Sequence, residues 1–326
     1  MVFSANSARY NSMSYRRCGN SGIKLPAVSL GMWHNFGDEN VFLNCREMIL
    51  GAFDLGITHF DLANNYGDGS AEENFGRILS KELKPYRDEL LISTKAGFPM
   101  WEGPYGNWGS KKYLISSLEQ SLKRLQLDYV DIFYHHRPDP DTPMEETAEA
   151  LEQMVRQGKA LYVGISNYNA EQSEAMIKIL AAKGIHCLVN QMNYSMLQRE
   201  NESVLEVTEK QQIGTIAYCP LAQGLLTDKY LKGIPADSRA AKNTSLDKNS
   251  ITPEKLSEIS ALKEIAEARG QSLAQMALAW VLCRTTSVII GASSLSQIQE
   301  NLMALNGLQF SPEELISIDK ILREHP

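Results

Sequence analysis

The sequence predicts an α/β fold: a (β/α)8 barrel of the TIM type, with an N-terminal β-hairpin closing the barrel floor, and residues 1–326 forming a single domain. Three observations predict it. Eight short, β-branched apolar runs recur along the chain. Amphipathic stretches of helical spacing lie between most of them. Glycines end several of those stretches just before the next run. An open doubly wound sheet is the rival architecture, but it would usually use fewer strands.

Residues 14–25 (SYRRCGNSGIKL) read as the hairpin, with a tight turn at Asn20, Ser21 and Gly22. The eight runs follow at 27–31, 57–63, 90–95, 130–136, 160–166, 188–192, 214–220 and 287–292. Between them lie stretches such as KKYLISSLEQSLKRLQ, where Ile115, Leu118, Leu122 and Leu125 make one apolar stripe. Gly56, Gly158, Gly184 and Gly214 sit where a helix should end, and glycine takes the left-handed C-cap conformation at little cost. Strand–helix alternation implies parallel pairing through right-handed crossovers.

Composition excludes several classes. Hydrophobic residues are 43 % and charged residues 22 %, the balance of a globular chain. A net charge of −7 argues against nucleic-acid binding, which needs a basic face. The five cysteines are scattered and make no C-x-x-C pair, so reduced thiols in the cytoplasm are expected. No metal site is expected. No apolar run is long enough to span a membrane, and the N-terminus has no signal-like apolar core.

The glycine and nucleophile motifs point nowhere. In the 67–70 loop the third glycine of G-x-G-x-x-G would fall at Glu72. P-loop, H-E-x-x-H and G-x-S-x-G patterns are absent. A barrel, however, carries its active site at the carboxyl ends of its strands. Those ends bring Asp61 and Tyr66, Lys95, and His135 with His136 to one mouth. An isolated Asp there is more often structural and a lone Lys is usually solvated, but together they suit carbonyl reduction. A phenol would protonate the nascent alkoxide, an ammonium would lower the phenol's pKa, a carboxylate would hold the ammonium, and an imidazole would bind the substrate oxygen.

At these residues the chain resembles the aldo-keto reductases. The matching segments are GITHFDLANNY at 56–66, ISTK at 92–95, DIFYHH at 131–136, GISNY at 164–168 and IGASSLSQIQEN at 290–301. Within that family WHNFGD at 33–38, GPYG at 103–106 and PLAQGLLTDKY at 220–230 look like the branch of bacterial L-glyceraldehyde 3-phosphate reductases and potassium-channel β subunits. The resemblance implies a catalytic tetrad of Asp61, Tyr66, Lys95 and His136, with Tyr66 the proton donor and His135 a neighbour. It implies an NADP(H) site. Ser166, Asn167 and Gln191 would hold the nicotinamide amide, Tyr218 would stack on its ring, and Trp33 and Asp61 would line that end. Pro220, Leu221, Gln223, Gly224, Lys229 and Arg239 would fold over the pyrophosphate and ribose, and Gly291, Ser293, Gln297, Glu300 and Asn301 would take the adenosine end.

Trp33, Tyr66, Trp101 and His136 are the expected substrate-pocket residues, with packing an equal alternative for Trp101. Many relatives carry Lys where this chain has Gly291, so the charge facing a 2′-phosphate would come from Arg239 or Lys229. The loops at 67–70 and 284–286 are shorter than the resemblance implies. The expected activity is reduction of small aldehydes such as L-glyceraldehyde 3-phosphate or methylglyoxal by a cytoplasmic homo-oligomer with no membrane insertion. A channel-docking NADPH-binding subunit with little turnover, and a Schiff-base aldolase using Lys95, are the alternatives. The channel subunits carry Asn at the position of His136, so this histidine favours a reductase.

Overall fold

The computed structural model describes residues 3–236, 238–242 and 246–323. Each apolar run becomes a strand, and the strands close on one another. After the hairpin strands β1 (Tyr15–Arg17) and β2 (Lys24–Pro26) come β3 (Val28–Gly31), β4 (His59–Asp61), β5 (Leu91–Ala96) and β6 (Val130–His135). Then follow β7 (Ala160–Ser166), β8 (Cys187–Asn193), β9 (Gly214–Tyr218) and β10 (Ser287–Ile290). β3 to β10 form a closed barrel in sequence order, with β10 pairing β3, and the pairs are parallel. The expected (β/α)8 barrel is the observed one.

Boundaries differ where the backbone turns. The run at 214–220 stops pairing at Tyr218 because Cys219 adopts φ 53°, which no strand tolerates. In the short loop after Tyr66, Gly67, Asp68 and Gly69 all take positive φ, so the chain turns there through left-handed backbone into α2. The stretch after 70 is α-helical only as α2 (Ser70–Ile78), then loosens into a π turn at Leu79–Leu83 and tightens into 3-10 turns at Lys84–Glu89.

The outer layer comprises α1 (Phe42–Asp54), α2, α3 (Lys111–Leu125), α4 (Met144–Arg156), α5 (Ala170–Ala182), α6 (Glu202–Lys210), α7 (Pro253–Ala268), α8 (Leu273–Leu282), α9 (Leu295–Leu302) and α10 (Pro312–Arg323). In α3, Leu118, Leu122 and Leu125 are buried and Ile115 packs at the core's edge, as its stripe predicts. Capping boxes at Asn169–Gln172 and Ser272–Gln275 start α5 and α8. Among the described residues no helix is long and apolar enough to cross a membrane.

The hairpin seals the floor. Cys18 and Leu25 are fully buried among Ile132, Leu188 and Ile216, side chains from the lower interior of the barrel. Gly56, Gly158 and Gly184 have the positive φ expected of C-caps, but Gly214 does not. Gln212, at φ 54°, takes that role after α6. Gly214 is glycine for a different reason: a Cβ there would stand 2.2 Å from the Cys18 Sγ of the floor plug.

Overpacking therefore defines the first prediction. Gly214→Ala should cost about 1–3 kcal/mol in thermal or denaturant unfolding. Cys18→Ala in the same chain should recover most of that loss, and additive effects in the double mutant would contradict the close approach.

Candidate active site

Alternation along a strand decides which side chains enter the barrel. On β4, His59 and Asp61 point inward and Phe60 outward; on β5, Ser93 and Lys95 point inward and Thr94 outward, to Glu72. On β6, Tyr134 enters the interior, while His135 turns out to bond the Tyr168 hydroxyl at 2.6 Å. The strand has ended by His136, whose amide bonds Ala96 O at 2.9 Å. Gly97 allows this: a Cβ there would lie 2.9 Å from the Cβ of His136.

The four residues expected as a tetrad lie together. Lys95 Nζ donates to Asp61 Oδ2 at 2.5 Å, to Leu62 O at 2.7 Å and to Tyr66 Oη at 3.3 Å. Asp61 and Lys95 are 2 % and 0 % exposed, so the pair is shielded from solvent. The other carboxylate oxygen of Asp61 accepts from Ser93 Oγ at 2.7 Å and Gln191 Nε2 at 3.0 Å. The His136 ring stands edge-on to Tyr66 with centroids 6.1 Å apart.

Burial governs the titration of these groups. It pulls the Lys95 ammonium below its usual value, against the charge and hydrogen bond of Asp61. It also pushes the Tyr66 phenol well above 10, with Asp61's charge adding to the rise. The sequence reading expected the ammonium to lower this phenol; burial raises it instead, so Tyr66 holds its proton at neutral pH. Burial, then the charge on Lys95, lowers His136 well below 6.5 and keeps it neutral.

Around this centre Trp33 is 46 % exposed, stacked on His34 at 3.9 Å and parallel to Tyr66 at 6.3 Å. Trp101 packs on Tyr113 of α3 at 5.1 Å, the packing alternative. Phe98 meets His136 edge-on at 4.6 Å, a neighbour of the site that the sequence reading missed. It missed Ser93 and His59 as well. Their only signal was position, two residues before Lys95 and Asp61 on the same strand faces.

The residues expected to take a nicotinamide cluster beside the tetrad. Tyr218 donates to Asn167 Oδ1 at 2.6 Å, and Asn167 Nδ2 donates to His136 O at 2.9 Å and to Ser166 Oγ at 3.2 Å. Gln191 reaches Asp61 from the same side. Beyond Tyr218 the loop through Pro220, Leu221, Gln223 and Gly224 is shaped by positive φ at Cys219, Ala222, Gln223 and Gly224. Arg239 lies near this mouth: after burial, its charge lowers His34, and it opposes the burial-driven rise of Cys219. Lys229 is exposed, with its ammonium 5.9 Å from the Tyr230 ring.

At the far end Gly291 has open space where a Cβ would stand, and α9 begins at the Ser294 cap. Ser293 bonds Gln297 there, Glu300 is exposed and Asn301 is nearly buried. Among the described residues no group of three or more His, Cys, Asp or Glu is placed to hold a metal.

The model of the aldo/keto reductase family matches residues 27–323. A protein of Escherichia coli (strain K12) named L-glyceraldehyde 3-phosphate reductase is 54 % identical over 98 % of this chain and 95 % of its own. A probable voltage-gated potassium channel subunit beta of Arabidopsis thaliana is 37 % identical over 96 % of this chain and 98 % of its own.

The buried rings give the second prediction. Burial lowers both His59 and His135 to about 4. The unfolded chain binds protons on these rings from about pH 6.5 downward, while the folded chain refuses them until about pH 4. Their stabilisation is thus present above pH 6.5 and lost toward pH 4, by about 3 kcal/mol per ring in full. Denaturant titrations should give a clearly lower stability at pH 5 than at pH 7, and equal values would contradict neutral burial.

Proposed function

Because the chain belongs to the aldo/keto reductase family, we propose that it is an NADPH-dependent reductase of small aldehydes, L-glyceraldehyde 3-phosphate and methylglyoxal among them. The observation that carries this reading is Lys95 Nζ, held between Asp61 at 2.5 Å and Tyr66 Oη at 3.3 Å. The residues present fit a dinucleotide. Gln223 Oε1 and His136 Nδ1 are buried polar atoms with no partner of their own, and Gly291 leaves room at the far end.

Ser166, Asn167 and Gln191 would hold the carboxamide, Tyr218 the ring face, and the 220–224 loop the pyrophosphate. Lys229 and Arg239 would supply the cations, with the adenosine end over Gly291, Ser293, Gln297, Glu300 and Asn301. When bound, the reduced nicotinamide supplies the hydride for the carbonyl carbon. Tyr66 Oη hydrogen-bonds the carbonyl oxygen and gives up its proton as alkoxide charge develops. Lys95, already charged and fixed, stabilises the phenolate left behind. Its benefit is greatest after proton loss, which is the differential stabilisation that speeds a reaction. Neutral His136 donates a second hydrogen bond to the same oxygen, and Trp33 and Phe98 wall the pocket.

The aldolase alternative needs a free lone pair on Lys95. Its three donors already meet three acceptors, which disfavours it. The channel-subunit alternative differs by turnover. We read the 1–326 chain as one barrel domain, working in the cytoplasm as a homo-oligomer.

Two measurements test the reading. NADPH oxidation over an aldehyde panel with both enantiomers of glyceraldehyde 3-phosphate should identify turnover and rank substrates; tight NADPH binding with no turnover would favour the channel subunit. Tyr66→Phe should lower kcat by ~10²-fold or more while leaving NADPH affinity within about twofold, and a rate within about threefold of wild type would sink the assignment of Tyr66 as the acid.

A further inference from the structure

Below the tetrad a buried polar chain crosses the barrel interior. Ser287 Oγ on β10 lies 2.7 Å from Ser29 Oγ on β3. Ser29 Oγ lies 2.9 Å from His59 Nδ1, and His59 Nε2 lies 2.9 Å from Ser93 Oγ. Ser93 Oγ lies 2.7 Å from Asp61 Oδ1. All five side chains are 0–2 % exposed. The reduction mechanism uses only the last of them.

The direction of every bond follows from one end. An ionised carboxylate can only accept, so Ser93 donates its proton to Asp61. Phe60 O, at 3.5 Å from Ser93 Oγ, is the longer and weaker alternative. With its proton committed, Ser93 Oγ must accept from His59, so Nε2 carries the hydrogen. A neutral ring then has a bare Nδ1, which accepts from Ser29, and Ser29 in turn accepts from Ser287. The burial that lowers His59 to about 4 keeps the ring neutral at working pH. Each donor thus points toward Asp61, and hydrogen bonds aligned head to tail strengthen one another in a low-dielectric interior.

This alignment has a chemical consequence. With Asp61 and Lys95 2.5 Å apart, the pair has two forms: carboxylate with ammonium, or carboxylic acid with amine. Burial favours the neutral form, and donors to Asp61 favour the charged one. Only the charged form leaves an ammonium beside Tyr66. We propose that His59 is a positioning residue: as the centre of a one-way hydrogen-bond chain from Ser287 to Asp61, it keeps Asp61 ionised and so keeps the charge on Lys95 that the reaction uses. This rests on the reading of Tyr66 as proton donor.

The titratable groups facing Lys95 and Tyr66 are Asp61, Glu72, Tyr134, His136, Tyr218 and Cys219. Loss of the Ser93 bond weakens Asp61 as a carboxylate but adds no new charge among them. The proton of the pair is then held more firmly overall, so the basic limb of the rate profile stays in place or moves to higher pH. A loosened, wetter interior would instead ease ionisation of Tyr66 and move that limb down.

The test is single-turnover reduction at saturating NADPH, with the tautomer of His59 read by ¹⁵N NMR in the ligand-free wild type. The ring should carry hydrogen on Nε2 alone; hydrogen on Nδ1 alone would overturn the direction of the chain. Ser93→Ala and His59→Phe should each slow the step about tenfold, as expected for a hydrogen bond to a charged group, with KM and NADPH affinity within about twofold. His59→Gln should recover to within about threefold, since its amide can donate to Ser93 and accept from Ser29. Rates within about twofold of wild type for Ser93→Ala, a glutamine variant as slow as the phenylalanine one, or a basic limb moved down would each overturn the proposal. If His59→Phe fails to fold, Ser93→Ala carries the rate comparison alone. Wild-type turnover tests the functional reading separately from these variant-to-wild-type ratios and from the tautomer.

Discussion

The ion pair between Asp61 and Lys95 is the constraint on which the site depends. Two charges withdrawn from water cost several kcal/mol each, and only close contact and satisfied hydrogen bonds offset this. The fold supplies both. Lys95 meets Asp61, Leu62 O and Tyr66, and Asp61 receives Ser93 and Gln191 on its other oxygen. Such a pair is poor evidence for stability. In the proposed reaction its value would lie in a charge placed beside Tyr66 before any substrate arrives, with no solvent to rearrange when the proton moves.

The barrel explains how so few residues manage this. Adjacent parallel strands bring Asp61 level with Ser93, and Lys95 level with Tyr134. Every second residue faces inward, so one register fixes the acid, its partners and the histidine beneath them. The hairpin is part of the same device. Cys18 and Leu25 close the floor under Ile132, Leu188 and Ile216, and Gly214 leaves room for the Cys18 sulfur. Water is kept from the low end while the mouth stays open at Trp33.

Much of this was legible in the sequence, because strand alternation and strand ends are local features. The barrel and the meeting of Asp61, Tyr66 and Lys95 at one mouth follow from runs and strand ends; the preference for His136 over His135 rests on the resemblance. The structure sends His135 outward to Tyr168, as an adjacent strand residue must go. Other features are not local. The reason for Gly214 lies about 200 residues away, at Cys18. His59 and Ser93 look like ordinary strand residues until β3, β4, β5 and β10 stand side by side. The sign of the Tyr66 shift also escaped the sequence, since the depth of its burial shows only in the coordinates.

In the proposed mechanism a fixed negative charge on Asp61 holds Lys95 as the ammonium that stabilises the Tyr66 phenolate. The most direct measurement is the single-turnover rate of aldehyde reduction by Asp61→Asn at saturating NADPH. The amide keeps the shape and removes the charge. The rate should fall by about 10²-fold, the scale of positioned proton transfer. A rate within about threefold of wild type, in a variant that folds as wild type does, would contradict it.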